Sequence, residues 1–214
     1  MKVRLAGDAM VIVEFDQVID PVVNQRAIDL SGRLRARALP GVRDVVPGYC
    51  SVGVHFDPLR TDLPRLEAAI EHDASVAEAL SETALTHVHE IPVSYGGSNG
   101  PDLDAVAEAC QCSPADVVER HAATVYRVYM LGFVPGFAYL GRVDPRITVP
   151  RHRVPRERVP AGSVGIAGEQ TGVYPVESPG GWQLIGRTTT LMFDSNRHPA
   201  SLLAAGEGVR FVPR

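Results

Sequence analysis

Leu131-Gly132-Phe133-Val134-Pro135-Gly136-Phe137-Ala138-Tyr139-Leu140-Gly141 opens the part of the chain on which its fold turns. Three glycines, one proline and three aromatic rings in eleven positions rule out a regular helix and point to a tight, shaped loop. The texture continues to Gly186, with ten glycines and seven prolines between Leu131 and that residue. Such punctuation favours short strands joined by turns. Working outward, residues 125–130, 188–193 and 209–212 are apolar or β-branched and read as strands. Upstream, Asn99-Gly100-Pro101-Asp102 leads into a short helix over residues 103–110. Ser113-Pro114-Ala115-Asp116 then forms a capping box that starts a second helix, ending near Ala122. Residues 85–214 are therefore predicted to form a β-barrel or sandwich with two small helices near its start.

The first 84 residues have a different rhythm. Residues 9–15, Ala-Met-Val-Ile-Val-Glu-Phe, read as a buried strand. Val22, Val23, Ala27, Ile28, Leu30, Leu34 and Ala38 recur mainly every three or four positions, which predicts an amphipathic helix over residues 22–39, stopped by Pro40-Gly41. Residues 42–46 and 50–56 read as strands joined through Pro47-Gly48. Residues 63–80 read as a second helix, with Asp62 as N-cap and Pro64 in its first turn. Residues 86–93 return to β character. The order β-α-β-β-α-β is that of the ferredoxin-like split βαβ motif. The expectation is an α+β chain of two domains, residues 1–84 as a ferredoxin-like α/β sandwich and residues 85–214 as the β-rich unit.

Composition narrows the chemistry. Of 214 residues, 45% are hydrophobic and 21% charged, which is ordinary for a globular protein. A formal charge of -4 gives no basic field for nucleic acid. No apolar run approaches the ~18 residues of a membrane span. Asp8 interrupts the N-terminus before an apolar core of signal-peptide length. A cytoplasmic protein, off the membrane, is expected. Cys50, Cys110 and Cys112 fit neither a disulfide framework nor the usual zinc-knuckle spacing. Lys2 is the only lysine among 21 basic residues, so a P-loop lysine, a Schiff-base lysine and a Ser-Lys dyad are excluded. Any anion must be held by arginine or by backbone N–H groups.

Candidate site residues gather in the glycine-rich half. Phe133, Phe137 and Tyr139 offer a flat apolar wall, and Gly136 lets backbone approach a ligand. Arg142, Arg146, Arg151, Arg153, Arg156 and Arg158 follow within seventeen residues. Prolines 145, 150, 155 and 160 stiffen that segment, which suits bidentate recognition of phosphate or carboxylate. Arg151, Arg156 and Arg187 are the expected anion contacts. Ser163 offers a hydroxyl but has no base beside it, and Gln170 and Trp182 belong to the same glycine-bordered motifs. His121, at the end of the second small helix, is the acid/base candidate. His87 and His89 share a strand face, with no third ligand for a metal.

Several of these motifs fall in a familiar order. Residues 131–140, Pro150-Arg151, Pro155-Arg156, Val159-Pro-Ala-Gly-Ser-Val164, Gln170-Thr-Gly-Val-Tyr-Pro175 and Ser178-Pro-Gly-Gly-Trp-Gln183 resemble the kinase A inhibitor / 5-oxoprolinase B subunit / allophanate hydrolase subunit 1 family. Ile91-Pro-Val-Ser-Tyr-Gly-Gly97 and Gly100-Pro-Asp-Leu103 are similar to it as well. The resemblance is strong over residues 85–214 and looser before them. It implies a cyclophilin-like β-barrel behind a small α+β domain. It also implies a larger partner, the C subunit (allophanate hydrolase subunit 2-like), in a heterodimer or higher heteromer. A lactam-utilisation-type third subunit is implied too. The implied activity is an ATP-dependent amidohydrolase, with ATP and Mg as cofactors and no biotin attached to this chain. The substrate would be 5-oxoproline or an allophanate- or urea-type amide. The implied alternative is a regulator that inhibits a sensor histidine kinase by docking. No catalytic residue is carried over from the resemblance, so the site rests on the residues named above.

Overall fold

The computed structural model describes residues 1–80 and 83–214. The chain divides into two compact units, Met1–Ala84 and Leu85–Arg214.

In the first unit, β1 (Lys2–Leu5), β2 (Met10–Glu14), α1 (Pro21–Arg37), β3 (Val42–Pro47), β4 (Ser51–Phe56) and α2 (Leu63–Leu80) follow in order. The strands make one antiparallel sheet, β1-β2-β4-β3. β4 lies between β2 and β3, the split β-α-β arrangement. The fourth strand, however, is β1. Residues 86–93, expected in that place, belong instead to the second unit. The stretch Lys2-Val3-Arg4-Leu5 alternates charged and apolar residues, a strand signal only four residues long. Its Arg4 pairs with Glu14 across the β1–β2 ladder at 3.0 Å.

Helix α1 begins where Asp20 accepts hydrogen bonds from the Val22 and Val23 N–H groups at 2.8 and 3.2 Å, with Pro21 in its first turn. Its apolar stripe of Val23, Ala27, Leu30 and Leu34 faces the sheet, where the last three pack with Val11, Val13, Val52 and Val54. Buried Asn24 donates to the Gly48 carbonyl at 3.1 Å and so ties the helix to the β3–β4 turn. The fork of Arg37 on Asp73, at 2.5 and 2.8 Å, joins α1 to α2.

The second unit runs β5 (Val88–Tyr95), α3 (Leu103–Ala109), α4 (Pro114–Ala123), β6 (Val125–Leu131), β7 (Ala138–Gly141), β8 (Arg156–Val159), β9 (Ser163–Ala167), β10 (Gln170–Val173), β11 (Ser178–Gly180), β12 (Gln183–Arg187) and β13 (Gly208–Pro213). Among the described residues, seven strands close a barrel in the order β10-β7-β6-β13-β5-β12-β9, and β9 returns to β10. Of the predicted alternatives the barrel is thus the one formed. Closure leaves no open edge in this sheet. The β5–β13 pair is parallel, whereas the other neighbours are antiparallel. Ile91, Val93, Val128, Leu140, Val164, Ile166, Ile185 and Phe211 belong to its buried core. The capping box is formed in both directions between Ser113 and Asp116.

The strand predicted over residues 188–193 does not form; β12 ends at Arg187. The Thr188 hydroxyl donates to Thr190 Oγ1 and accepts from the Thr190 N–H, both at 3.1 Å. This local hydroxyl turn competes with a β-ladder and wins over β-branched propensity.

Candidate functional site

The loop between β6 and β7 is built by its glycines. Gly132 N–H donates to Phe137 O at 3.1 Å, and Phe137 N–H to Val134 O at 3.0 Å, which folds residues 132–137 into a compact turn. Gly136 sits at φ +82°, where a Cβ would come within 2.6 Å of the Phe193 Cβ, so only glycine fits. The turn also holds Phe133 at φ +73°, a conformation that is rare for a bulky residue. Phe133 is 58% exposed.

That exposed ring is the rim of a hollow of ≈ 230 Å³. Phe137, Tyr139, Tyr174 and Trp182 form the walls, with Arg151, Pro155 and the Pro179-Gly180-Gly181 turn completing them. Phe137 is the hub. Its ring meets Tyr139 at 4.9 Å, Tyr174 and Trp182 at 5.4 Å each, and Phe133 at 5.6 Å, all edge to face. Such contacts lock the rings against one another. Beneath them Phe137, Val159, Ala167, Tyr174, Trp182 and Leu184 form a small apolar core of their own. The Arg151 guanidinium lies 5.8 Å from the Trp182 ring centre. A cation over an indole face is held without being neutralised, and so stays available to an anion.

Arg156 turns the other way. It donates to Asp102 Oδ1 at 2.6 Å. Asp102 Oδ2 accepts from the Leu184 N–H at 2.6 Å and lies 3.3 Å from His152 Nε2. Burial alone would raise the Asp102 pKa, but the bonds from Arg156, Leu184 and His152 outweigh it and hold the carboxyl below its ordinary value. Arg156 is thus a structural cation that latches the arginine segment to the start of α3. Arg187 lines a different hollow, with Ser94, Asn99 and Thr188–Thr190. The structure therefore does not gather Arg151, Arg156 and Arg187 around one guest.

His121 lies in the last turn of α4 and is fully buried, stacked on Phe211 with ring centres 4.6 Å apart. Thr171 donates its hydroxyl to Gly165 O at 3.0 Å and so accepts from His121 Nε2–H at 2.8 Å. Nδ1 is left to accept from the Tyr95 hydroxyl at 2.8 Å. Burial pushes the imidazole down to about 3, and burial raises the Tyr95 phenol well above its usual range. This is a neutral strut across the barrel core, with both ring nitrogens engaged inside it. An acid/base role toward a bound substrate has no geometric support.

Ser163 is buried at the start of β9, and half-buried Gln170 pairs with Gly141 and Ala167 on β10. Neither lines the aromatic hollow. Of the expected residues, that hollow brings together Phe133, Phe137, Tyr139, Arg151 and Trp182, with Gly136 shaping the loop that carries the first two. Sequence reasoning missed Tyr174, Pro155 and the Pro179-Gly180-Gly181 turn as walls, and Asp102 as the latch. Tyr174 did stand between Gly172 and Pro175, the same glycine-bordered aromatic signal that singled out Phe133. Asp102 stands in the Gly100-Pro101-Asp102-Leu103 motif, but its role as the latch is not legible locally, because its partners are 50, 54 and 82 residues away.

The family model described as carboxyltransferase domain, subdomain C and D, matches residues 1–203. The chain belongs to the carboxyltransferase subdomain C and D family. Among its relatives, the 5-oxoprolinase B subunit of Bacillus subtilis is 40% identical over 220 residues, covering 99% of this chain and 92% of the relative. The protein of the same name from Escherichia coli O157:H7 is 42% identical over 211 residues, covering 98% and 94%. Among solved structures, TTHA0988 superposes with a TM-score of 0.85 at 36% identity, over 100% of this chain and 40% of that one. PH0987 from Pyrococcus horikoshii, 40% identical, gives 0.59 over 100% and 97%. The urea amidolyase of K. lactis gives 0.79 at 21% identity, over 99% of this chain and 15% of that one, a likeness of fold. This subdomain C and D chain thus corresponds to a part of some longer chains and to nearly the whole of the Bacillus subtilis and Escherichia coli relatives. Among the described residues, no helix is long and apolar enough to cross a membrane.

Proposed function

We propose that this chain is the B subunit of a 5-oxoprolinase-type amidohydrolase, which opens the 5-oxoproline ring to glutamate at the expense of ATP. The observation that carries this reading is the aromatic hollow with Arg151 at its wall. A five-membered lactam is a small flat amide with one carboxylate. Edge-to-face rings accept a flat guest, and a guanidinium held over the indole offers its N–H fork to the carboxylate. The two relatives named as B subunits of 5-oxoprolinase, at 40% and 42% identity over nearly all of this chain, support the same assignment.

A lactam carbonyl is a poor electrophile, and ATP supplies a phosphoryl group that activates its oxygen. The aromatic hollow does not suit a magnesium-bound triphosphate: it has one guanidinium, and no carboxylate lines it. Among the described residues, no group of three His, Cys, Asp or Glu side chains is placed to hold a metal. Mg-ATP enters this reading through the assembly with two partners, a larger C subunit and a lactam-utilisation-type protein. The role of this chain is to position the lactam while water adds to the activated carbonyl carbon, the ring C–N bond breaks and inorganic phosphate leaves.

The test combines this chain with both partners, 5-oxoproline and Mg-ATP, and follows glutamate and ADP. Turnover that requires this chain is expected. In Arg151→Gln, KM for 5-oxoproline should rise about tenfold or more, the loss of a charge-assisted fork. Unchanged KM would remove the hollow from the reading, and no turnover at all would remove the substrate. The regulatory alternative draws on the exposed side chains of Phe133, Val154 and Leu191, and predicts that this chain alone suppresses autophosphorylation of a histidine kinase.

A further inference from the structure

Arg187 lines the second hollow, at one end of the barrel. There β12 runs between β5 and β9, and Ser94, Arg187 and Ser163 fall in one cross-strand row. The hollow has a volume of ≈ 400 Å³ and is walled by the Ala161-Gly162 turn, Pro175 and the segment from Thr188 to Leu191. Gly162, at φ +81°, lets that turn press against the Thr188 carbonyl where any Cβ would collide.

Its chemistry is one-sided. Arg187 Nε donates to the Ala161 carbonyl at 2.9 Å, which sets the plane of the guanidinium and leaves both Nη groups for a ligand. Ser94, Thr189 and Asn99 share the lining, residues that carry two hydroxyls and a carboxamide. Thr190 accepts from Thr188 and so keeps its own hydroxyl proton to give. No aspartate or glutamate lines the hollow, and Arg187 is its only charged residue.

We propose that this hollow is a binding site for a phosphoryl oxyanion. A carboxylate presents two oxygens in one plane and is served by a single fork, as at Arg151. Donors spread over two strands and two loops suit a group with three terminal oxygens and more than one negative charge. The ligand is a free phosphate or the phosphoryl end of a nucleotide. The proposal stands on this geometry alone and does not require the lactam assignment.

The experiment is an NMR-detected titration of the full ¹⁵N-labelled chain with inorganic phosphate, ADP and ATP, without magnesium, and with acetate as a planar control. Phosphate should shift the amides of Gly162 and Thr189 saturably. Arg187→Gln should weaken the binding about tenfold or more, the scale of a charge-assisted contact. Thr189→Val, at an exposed position, should weaken it several-fold and serves if the arginine variant does not fold. Arg142→Gln, outside this lining, should leave it unchanged. Nucleotides binding more tightly than phosphate through Arg187 would identify a nucleotide as the source, and equal or weaker binding would identify free phosphate. The proposal is overturned if phosphate produces no saturable shift, if acetate binds as tightly, or if both hollow variants titrate like the wild type.

Discussion

His121 shows how the same residue type reads differently once its surroundings are known. In the sequence it is a histidine at a helix end beside a glycine loop. In the fold it donates to Thr171, accepts from Tyr95 and has no exposed surface. Burial holds its pKa at about 3 against an ordinary 6.5. The unfolded chain therefore binds a proton between those values that the folded chain refuses. The stabilisation from the neutral imidazole is complete above pH 6.5 and is lost as the pH falls toward 3, by about 1.4 kcal/mol per unit. Urea titrations at pH 7, 6, 5 and 4.5 should show this slope. His121→Gln should be less stable at pH 7 but flatter across the series, and an equally steep variant would assign the acid sensitivity elsewhere. Asp102 acts in the same direction at lower pH. Its carboxylate is held down by Arg156, so the stability it gives is present above its unfolded pKa of about 4 and falls away as the carboxyl protonates. Asp102→Asn should cost about 2 kcal/mol at pH 7, because it leaves a half-buried guanidinium with a neutral partner, and denaturant midpoints would measure it.

Single elements explain the split between what the hollow needs and what the fold needs. The β6–β7 loop carries Phe133 outward in a left-handed conformation and Phe137 inward against four rings. Phe133→Ala removes mainly exposed surface, so stability to thermal unfolding should change by less than about 1 kcal/mol. Binding of 5-oxoproline to the assembled complex should nonetheless weaken. Trp182→Ala empties a buried site and should cost about 3 to 5 kcal/mol. If the two variants are equally destabilised, Phe133 belongs to the core rather than to the rim. At α4, Ser113→Ala removes one half of a complete capping box and should cost about 1 kcal/mol, read from the urea midpoint. The threonine run after β12 makes the complementary point. Thr188 satisfies its own turn through a hydroxyl, and the segment becomes the wall of the second hollow instead of a strand.

Over the whole molecule, the two units keep separate apolar clusters, Leu30 and Val52 in one and Leu140 and Phe211 in the other. Leu30→Ala should therefore lower stability by about 3 kcal/mol, read by circular dichroism, and an unchanged midpoint would show that this position is not part of the first unit's core. The boundaries of α1, α2 and α4 and of six strands, β2 to β6 and β13, were legible from the sequence within a residue or two, because apolar spacing, caps and proline-glycine stops act locally; the short strands β7 to β12 were legible only as a texture of glycines and prolines. The mixed α+β class and the loop bearing Phe133 and Phe137 were legible for the same reason. Pairing was not. Lys2–Leu5 takes the sheet position expected of residues 86–93, and Val88–Tyr95 goes to the barrel, because a strand's partner is chosen by which core buries its face. The three arginines were likewise visible as cations in the sequence. Tertiary structure alone decided that Arg151 rests on an indole, Arg156 on a carboxylate 54 residues away and Arg187 on a backbone carbonyl, since a charge takes its role from the partner the fold brings to it.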